Sequence, residues 1–457
     1  MQQTFRSWIR SLGIIVAAML LITSLVPNTH AQFGGGFGSA VGGVRVDASG
    51  VLGMPLEQLD PAVQQRLATV VSENNRLFTD HDGLRKLSLR HLNEVVAQAA
   101  RDKATVPAEA RFLGGLVRIE YVYVDQDRND LILAGQADVL AVDGQGNVVG
   151  QKTGLPALHL EDLMTALQTV DQATTGTGIS VSIEPTDESR VAFRELTTAA
   201  ERNRQVNANL VGQLEEAMGP QNVILSGVPT DSRFANVLAL ADYRMKRISM
   251  GLDASPLKQL PSFVSMLARS TSLKSHTPRF WMEMNYNPVR RSEDGKIFQL
   301  SGTGVKTLTE NDFIDKQGKS TASGKRDPIA SKWAANMTEH YSDLISKDQI
   351  FAELRNMFDF SVVAALIEKE GLVAASGVQI STLAGSGEPV AMPKWNAPTK
   401  VPTSASLVNH SRGAVVTASG GVQLDPWSVV SQVEVSADLA QVSSEFASND
   451  GSKLVWN

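Results

Sequence analysis

The chain has 457 residues, 42 lysines and arginines against 48 aspartates and glutamates, a formal net charge of −6, and no cysteine. The missing thiols exclude disulfides, thiol catalysis and thiolate metal sites. The acidic balance argues against a nucleic-acid partner, whose phosphates call for clustered Lys and Arg, while the length is ample for a core held by burial alone.

Arg6 and Arg10 precede an apolar run from Leu12 to Val26, and Thr29-His30-Ala31 follows with small residues around His30. That order reads as a secretory leader over residues 1–31, with a mature start near Gln32. The run is too short and too interrupted, by Thr23 and Ser24, for a bilayer span of about 20 apolar residues. No later segment is long and apolar enough to cross a membrane. The expected address is therefore exported, periplasmic or secreted.

Residues 32–60 form a Gly-rich leader and a short hairpin, Val44 to Asp47 with Val51-Leu52. Asp60 and Pro61 then open a helix with Val63, Leu67, Val70, Val71 and Leu77 on one face. A first α/β unit is expected over 61–186. Its helix carries Leu92, Val95, Val96 and Ala99; its strands are Val117–Tyr121, Leu131–Leu133, Val139–Val142 and Val148-Val149, with a turn at Asp143 to Asn147; a second helix runs from Leu158 to Val170.

A second unit, 187–277, begins with a helix from Glu188 to Met218, which at ~1.5 Å per residue would span roughly 40 Å. A strand from Asn222 to Val228, a strand-like segment from Val237 to Met250 and a helix from Leu257 to Leu267 complete it. The two units share an Ala-Asp pair (Ala137-Asp138, Ala241-Asp242) and similar Leu spacing, from either a duplicated β-β-α unit or a chance likeness.

Residues 278–376 read as a β-hairpin plus an αα-hairpin. Arg279 to Asn287 alternates, and Ser292-Glu293-Asp294-Gly295 turns it into Lys296 to Leu300. Asn311 to Lys325 is polar and reads as an exposed loop. The first helix starts at Asp327-Pro328, with Ile329, Trp333, Met337, Tyr341 and Leu344 in one stripe; the second runs from Asp348 to Gly371, with Ile350, Leu354, Phe358, Val362 and Ala365 inward. Residues 377–457 are a Pro/Ser/Thr linker and a β-rich C-terminal region. The fold class is α+β: repeated sheet-and-helix units, a helical hairpin and a small β-rich C-terminal region.

Three strings occur together: Ala241-Asp242-Tyr243-Arg244-Met245-Lys246-Arg247, Pro278-Arg279-Phe280-Trp281 and Thr338-Glu339-His340-Tyr341. With Phe298 to Gly302, Val305-Lys306 and the segment Phe351 to Gly371, they resemble an uncharacterised domain family of exported planctomycete proteins, over about Leu87 to Gly371. The resemblance implies no activity and no active-site residue.

Motifs of known chemistry fail on their spacing. Asp125-Gln126-Asp127-Arg128-Asn129 begins like a calcium loop, but Asp130 stands where the turn glycine belongs and Gln136 where the closing Glu belongs. Gly318-Lys319-Ser320 lacks the first glycine of a phosphate loop, and Gly144, Gly146 and Gly150 fit a hairpin better than a dinucleotide turn. Lys152-Thr153-Gly154 is similar to a penicillin-binding triplet, but the Ser-x-x-Lys at Ser255 and Lys258 follows it instead of preceding it. His340 and Asp343 share a helix face and read as surface residues. No cofactor and no metal are expected.

What remains is basic and aromatic. Tyr243, Arg244, Lys246 and Arg247 occupy one strand-like segment; Arg279, Trp281, Tyr286, Arg290 and Arg291 occupy another. Paired, the two would set guanidinium groups and ring faces on one surface, suited to an anionic or glycan group. The plainer reading is an amphipathic sheet with Trp281 in the core. The function expected is non-catalytic binding of an envelope or extracellular partner or glycan, with no nucleic acid. The alternative is a hydrolase of an envelope polymer, needing two carboxylates such as Glu283 or Asp242 in one cleft.

Overall fold

A computed structural model describes residues 84–173, 178–203, 208–270, 278–314, 320–403, 405–408, 414–447 and 453–456, with 40–41, 44–45, 69 and 71. The expected leader, and most of the hairpin and helix expected before Leu84, lie outside the described residues; Val44–Arg45 pairs antiparallel with Ala40–Val41. No described helix is long and apolar enough to cross a membrane.

The strands, in chain order, are β1 (Leu84–Ser88), β2 (Tyr121–Asp125), β3 (Asp130–Gln136), β4 (Leu140–Val142), β5 (Val148–Gly150), β6 (Ile179–Glu184), β7 (Gln221–Ser226), β8 (Pro278–Asn285) and β9 (Val289–Arg291). They continue with β10 (Ile297–Gln299), β11 (Gly304–Ile314), β12 (Ser320–Ala322), β13 (Lys400–Val401), β14 (Ser406–Val408), β15 (Ala414–Val416), β16 (Ser419–Leu424), β17 (Val433–Val435) and β18 (Val455–Trp456). The helices are α1 (Leu89–Asp102), α2 (Ala108–Arg111), α3 (Leu160–Thr169), α4 (Asp187–Arg202), α5 (Ala208–Met218), α6 (Arg233–Ser249) and α7 (Phe263–Ala268). After them come α8 (Pro328–Glu339), α9 (Tyr341–Ile345), α10 (Gln349–Lys369), α11 (Leu372–Ser376), α12 (Pro426–Val430) and α13 (Leu439–Ala447).

The α+β class holds. The first large sheet has the order β12-β11-β8-β16-β6-β7-β13, and the second β17-β9-β10-β2-β3-β1-β18. Neighbours run antiparallel except where C-terminal strands enter: β16 lies parallel to β8, and β17 parallel to β9. The C-terminal region is β-rich, as its composition implies: β13 and β16 join the first sheet, β17 and β18 the second, and β14 and β15 pair with each other.

Capping explains the helical hairpin. Asp327 Oδ1 accepts from the Ile329 and Ala330 amides at 2.8 and 2.9 Å, ahead of Pro328 in the first turn of α8. Trp333 is fully buried with its ring 4.6 Å from Phe280. The second helix, α10, is buried on every side from Ile350 to Ile367, so it is a central helix and not an amphipathic cover. It packs against α3, α6 and α12 within one core that also takes in the inner faces of both sheets. Each large apolar side chain buried there contributes about 1.5–3 kcal/mol.

Four expectations are corrected. The segment Val237 to Met250 is not a strand but most of α6. Ser232 caps that helix by accepting from the Ala235 amide, and Phe234, Val237, Leu238, Ala241, Met245 and Ile248 recur at the helical period along its buried side. Since Ala241-Asp242 is helical, the two stretches that look alike in sequence are not copies of one β-β-α unit. The rod from Glu188 to Met218 is two helices, α4 and α5, packed on each other through Phe193, Ala200, Leu210 and Leu214. The strand from Arg279 does not fold back on Lys296 to Leu300: β8 stays in the first sheet, while β9 and β10 pair in the second. Finally, part of the expected 311–325 loop pairs as β11 with β12.

Candidate functional site

The basic and aromatic residues do not share one surface, because the first group is on a helix. On α6, Arg244 donates through Nε to Asp348 Oδ2 at 2.7 Å and through Nη1 to Asp253 Oδ2 at 2.5 Å. Arg247 binds both oxygens of Asp253, at 2.9 and 2.7 Å, and lies 5.6 Å from the Tyr243 ring. Lys246 points the other way, into the core, donating to Asp242 and to the Ile183 carbonyl, each at 3.0 Å. These cations hold α6 to its neighbours.

The second group divides again. Arg290 and Arg291 lie on β9 in the other sheet, bonded to Gln299, Ser436 and Asp438, and facing Glu370 at 3.6 Å, respectively. Tyr286, at the crossing between sheets, donates its hydroxyl to the buried Asp359 at 2.6 Å. Burial first, then the Asp359 charge, push that phenol well above its ordinary pKa, so it stays a neutral donor.

Arg279 and Trp281 remain, and they define the candidate site. Along β8 burial alternates: Phe280, Met282 and Met284 face α6 and the core, while Arg279, Trp281, Glu283 and Asn285 form a half-exposed face. The plainer expectation of a core Trp281 therefore fails. The Arg279 guanidinium sits 5.9 Å from the Trp281 ring centroid, and the indole N–H donates to Glu283 Oε1 at 2.6 Å. Lys306, opposite Glu283 on β11, approaches its second oxygen at 3.6 Å. On the other flank Trp281 is level with Gly421, which brings no side chain against the ring.

Beyond Gly421 come Ser182 and Ser180 on β6, then Ser226 and the 55 % exposed Ile224 on β7. Where β8 ends, the face opens into a cavity of about 290 Å³ lined by Glu283, Asn285, Lys306, Gln423, Asp425 and Ser428. The arrangement offers amides, a hydroxyl and paired charges beside one indole. The hydrolytic pair does not form: Glu283 is on the half-exposed face, whereas Asp242 is fully buried beneath the other face with Lys246.

A second charged cluster escaped the sequence reading. Arg233, at the start of α6, is wedged between Asp162 of α3 and Glu353 of α10, with all three buried. Neighbouring Glu161 accepts from the Trp395 indole at 2.9 Å. Burial pushes Glu161 up, but His159, Arg233 and the Trp395 bond hold it below the usual carboxylate range. The available signals were Glu161-Asp162 inside an otherwise Leu-rich helix, and Glu353 in a helix without a polar face.

Burial pushes Asp162 up to about 8, against the pull of Arg233 and with repulsion from Glu161 and Glu353. Unfolded, the same carboxyl titrates at about 3.9. Between these values the folded chain keeps a proton that the unfolded chain releases, so stability falls as pH rises through the window and the full penalty is reached above it. Asp162→Asn removes the titration. Urea midpoints at pH 5, 7 and 9 should therefore shift progressively in favour of the variant as pH rises; a difference constant with pH would mean Asp162 is ionised throughout.

Among the described residues, no group of three or more His, Asp or Glu side chains is arranged to hold a metal ion. Asp125 closes its turn instead by accepting from the Arg128 amide at 3.1 Å. Residues 181–263, from β6 to the first residue of α7, match the model of a family described as a protein of unknown function (DUF1598). No curated protein and no solved structure matches the chain.

Proposed function

We propose that this is an exported, non-catalytic binding protein whose ligand is a glycan of the envelope or the extracellular space. The address rests on the leader pattern of residues 1–31. The ligand class rests on one observation: a half-exposed tryptophan, flanked by Arg279 and bare backbone at Gly421, beside a cavity of amide, hydroxyl and carboxylate groups. A sugar ring presents axial C–H groups to an indole and hydroxyls to such side chains. The pairing of Arg244, Arg247, Arg290 and Arg291 within the chain leaves Arg279 as the cation beside that ring, which favours a polyol over a polyanion.

Trp281→Ala should weaken binding to solubilised envelope glycans about tenfold, the equivalent of ~1.4 kcal/mol, with an unchanged far-UV spectrum because the ring is only partly buried. Arg244→Ala should leave binding as it is. Equal affinity in wild type and Trp281→Ala would remove this face from consideration. N-terminal sequencing of the protein recovered outside the cytoplasm tests the address separately, with a start near Gln32 expected.

A further inference from the structure

The register of the first sheet sets one line of residues across its half-exposed face. Leu308 on β11 is opposite Trp281 on β8, Trp281 is level with Gly421 on β16, Gly421 with Ser182 on β6, and Ser182 with Ile224 on β7. With strands about 4.8 Å apart, the four steps from β11 to β7 make that line roughly 19 Å long. Both ends are apolar: Leu308 and Trp281 are half-buried, and Ile224 is 55 % exposed. Between them Gly421 and Ser182 bring nothing larger than a hydroxymethyl group.

The neighbouring lines are polar. On one side Glu283 is level with Gln423, and Gln423 with Ser180. On the other, Arg279 is level with Ser419, and farther across the sheet Glu184 is opposite Asn222. The carboxylates in both lines are answered within the chain, Glu283 by Lys306 at 3.6 Å and Glu184 by Arg190 at 2.8 Å.

Direction follows from this pattern. Along β8 the ring of Trp281 has Arg279 before it and Glu283 after it, so a ligand lying along that strand would meet one apolar group. A ligand lying across the strands meets apolar groups at both ends and hydrogen-bonding groups on both flanks. A chain of sugar rings, with C–H on its faces and hydroxyls along its edges, has that polarity over several units, and the paired carboxylates suit an uncharged chain.

We propose that this face binds a linear, uncharged polysaccharide through the interior of the chain, laid across the strands from Leu308 and Trp281 to Ile224. The proposal rests on the glycan reading of the Trp281 face and adds to it a direction, a length and a second contact at Ile224.

Calorimetry of the full chain with fragments of two, four and six sugar units, made by partial hydrolysis of the solubilised envelope glycans and separated by size, tests it. Affinity should rise about tenfold or more from the two-unit to the six-unit fragment. Ile224→Ser should remove most of that rise and leave the two-unit affinity unchanged, whereas Trp281→Ala weakens every fragment. Ser182→Gln, which sets a longer side chain across the middle of the line, should act as Ile224→Ser does and serves if that variant misfolds. Binding that needs Trp281 but neither grows with length nor changes in the Ile224 and Ser182 variants would overturn this proposal and leave the glycan reading standing. No binding of any fragment would overturn both. A wild-type dimer that Ile224→Ser dissociates would give the line to a second copy of the chain, and the proposal would fall.

Discussion

Arg233→Met is expected to destabilise the protein by about 3–5 kcal/mol, the usual cost of stranding a buried charge without its partner. Asp162, Arg233 and Glu353 come from α3, α6 and α10, and the guanidinium is the only bridge described between the two carboxylates. Its removal leaves Glu353 facing Asp162 in a space closed to water. The triple variant Arg233→Met, Asp162→Leu, Glu353→Met should recover most of that loss, because at pH 7 it replaces the buried Arg233–Glu353 ion pair together with the largely protonated Asp162, and hydrophobic replacement of buried ionic groups is often neutral or stabilising. Urea denaturation of the three proteins at pH 7 makes the comparison. A single Arg233→Met variant as stable as wild type would show that the three helices are held by their apolar contacts alone.

Gly420→Val is expected to prevent the first sheet from forming. Gly420 has φ +155 and sits opposite Phe280 where β16 runs parallel to β8; a Cβ there would fall 1.5 Å from the Phe280 carbonyl oxygen. That obstacle is backbone in the middle of the sheet, so no side-chain movement relieves it. The cost should exceed about 4 kcal/mol, beyond what most single substitutions do. Gly295→Ala is the control. It too has a positive φ, +72, but nothing within 4 Å of the added atom, so only the conformational cost of roughly 1–2 kcal/mol applies. Gel filtration and thermal melting distinguish the two, and a Gly420→Val protein that elutes and melts like wild type would refute the role given to this contact.

Much of the local structure was legible because its causes lie within a few residues. Asp327-Pro328 opened a helix where expected, Gly371 closed one in the left-handed conformation, and Ser292 to Gly295 made a turn. The alternation of β8 was legible, but not its phase: Phe280 and Met282 face the core, where Trp281 was expected. The main failure was α6: Val237 to Met250 was read as strand-like, although the 3.6-residue recurrence that begins at Phe234 and the cap at Ser232 favour a helix. With the period misread, Arg244 and Arg247 were assigned to a ligand surface when their partners, Asp253 and Asp348, were already within the chain, and Tyr243 with them although it lies against Arg247.

From sequence alone came the α+β class, the Asp327 cap and the turn at Ser292 to Gly295, the exclusion of thiol chemistry and the expectation of export. Those depend on composition and on short-range geometry, which a chain carries with it before it folds. Which strand lies beside which, and which charges meet, was decided only by packing. Nothing near Gly420 announces that it will be pressed against Phe280, and nothing local joins Asp162 to Glu353 through Arg233. Such contacts have no periodic signature, because they are set when distant faces bury together and the groups trapped between them must find partners.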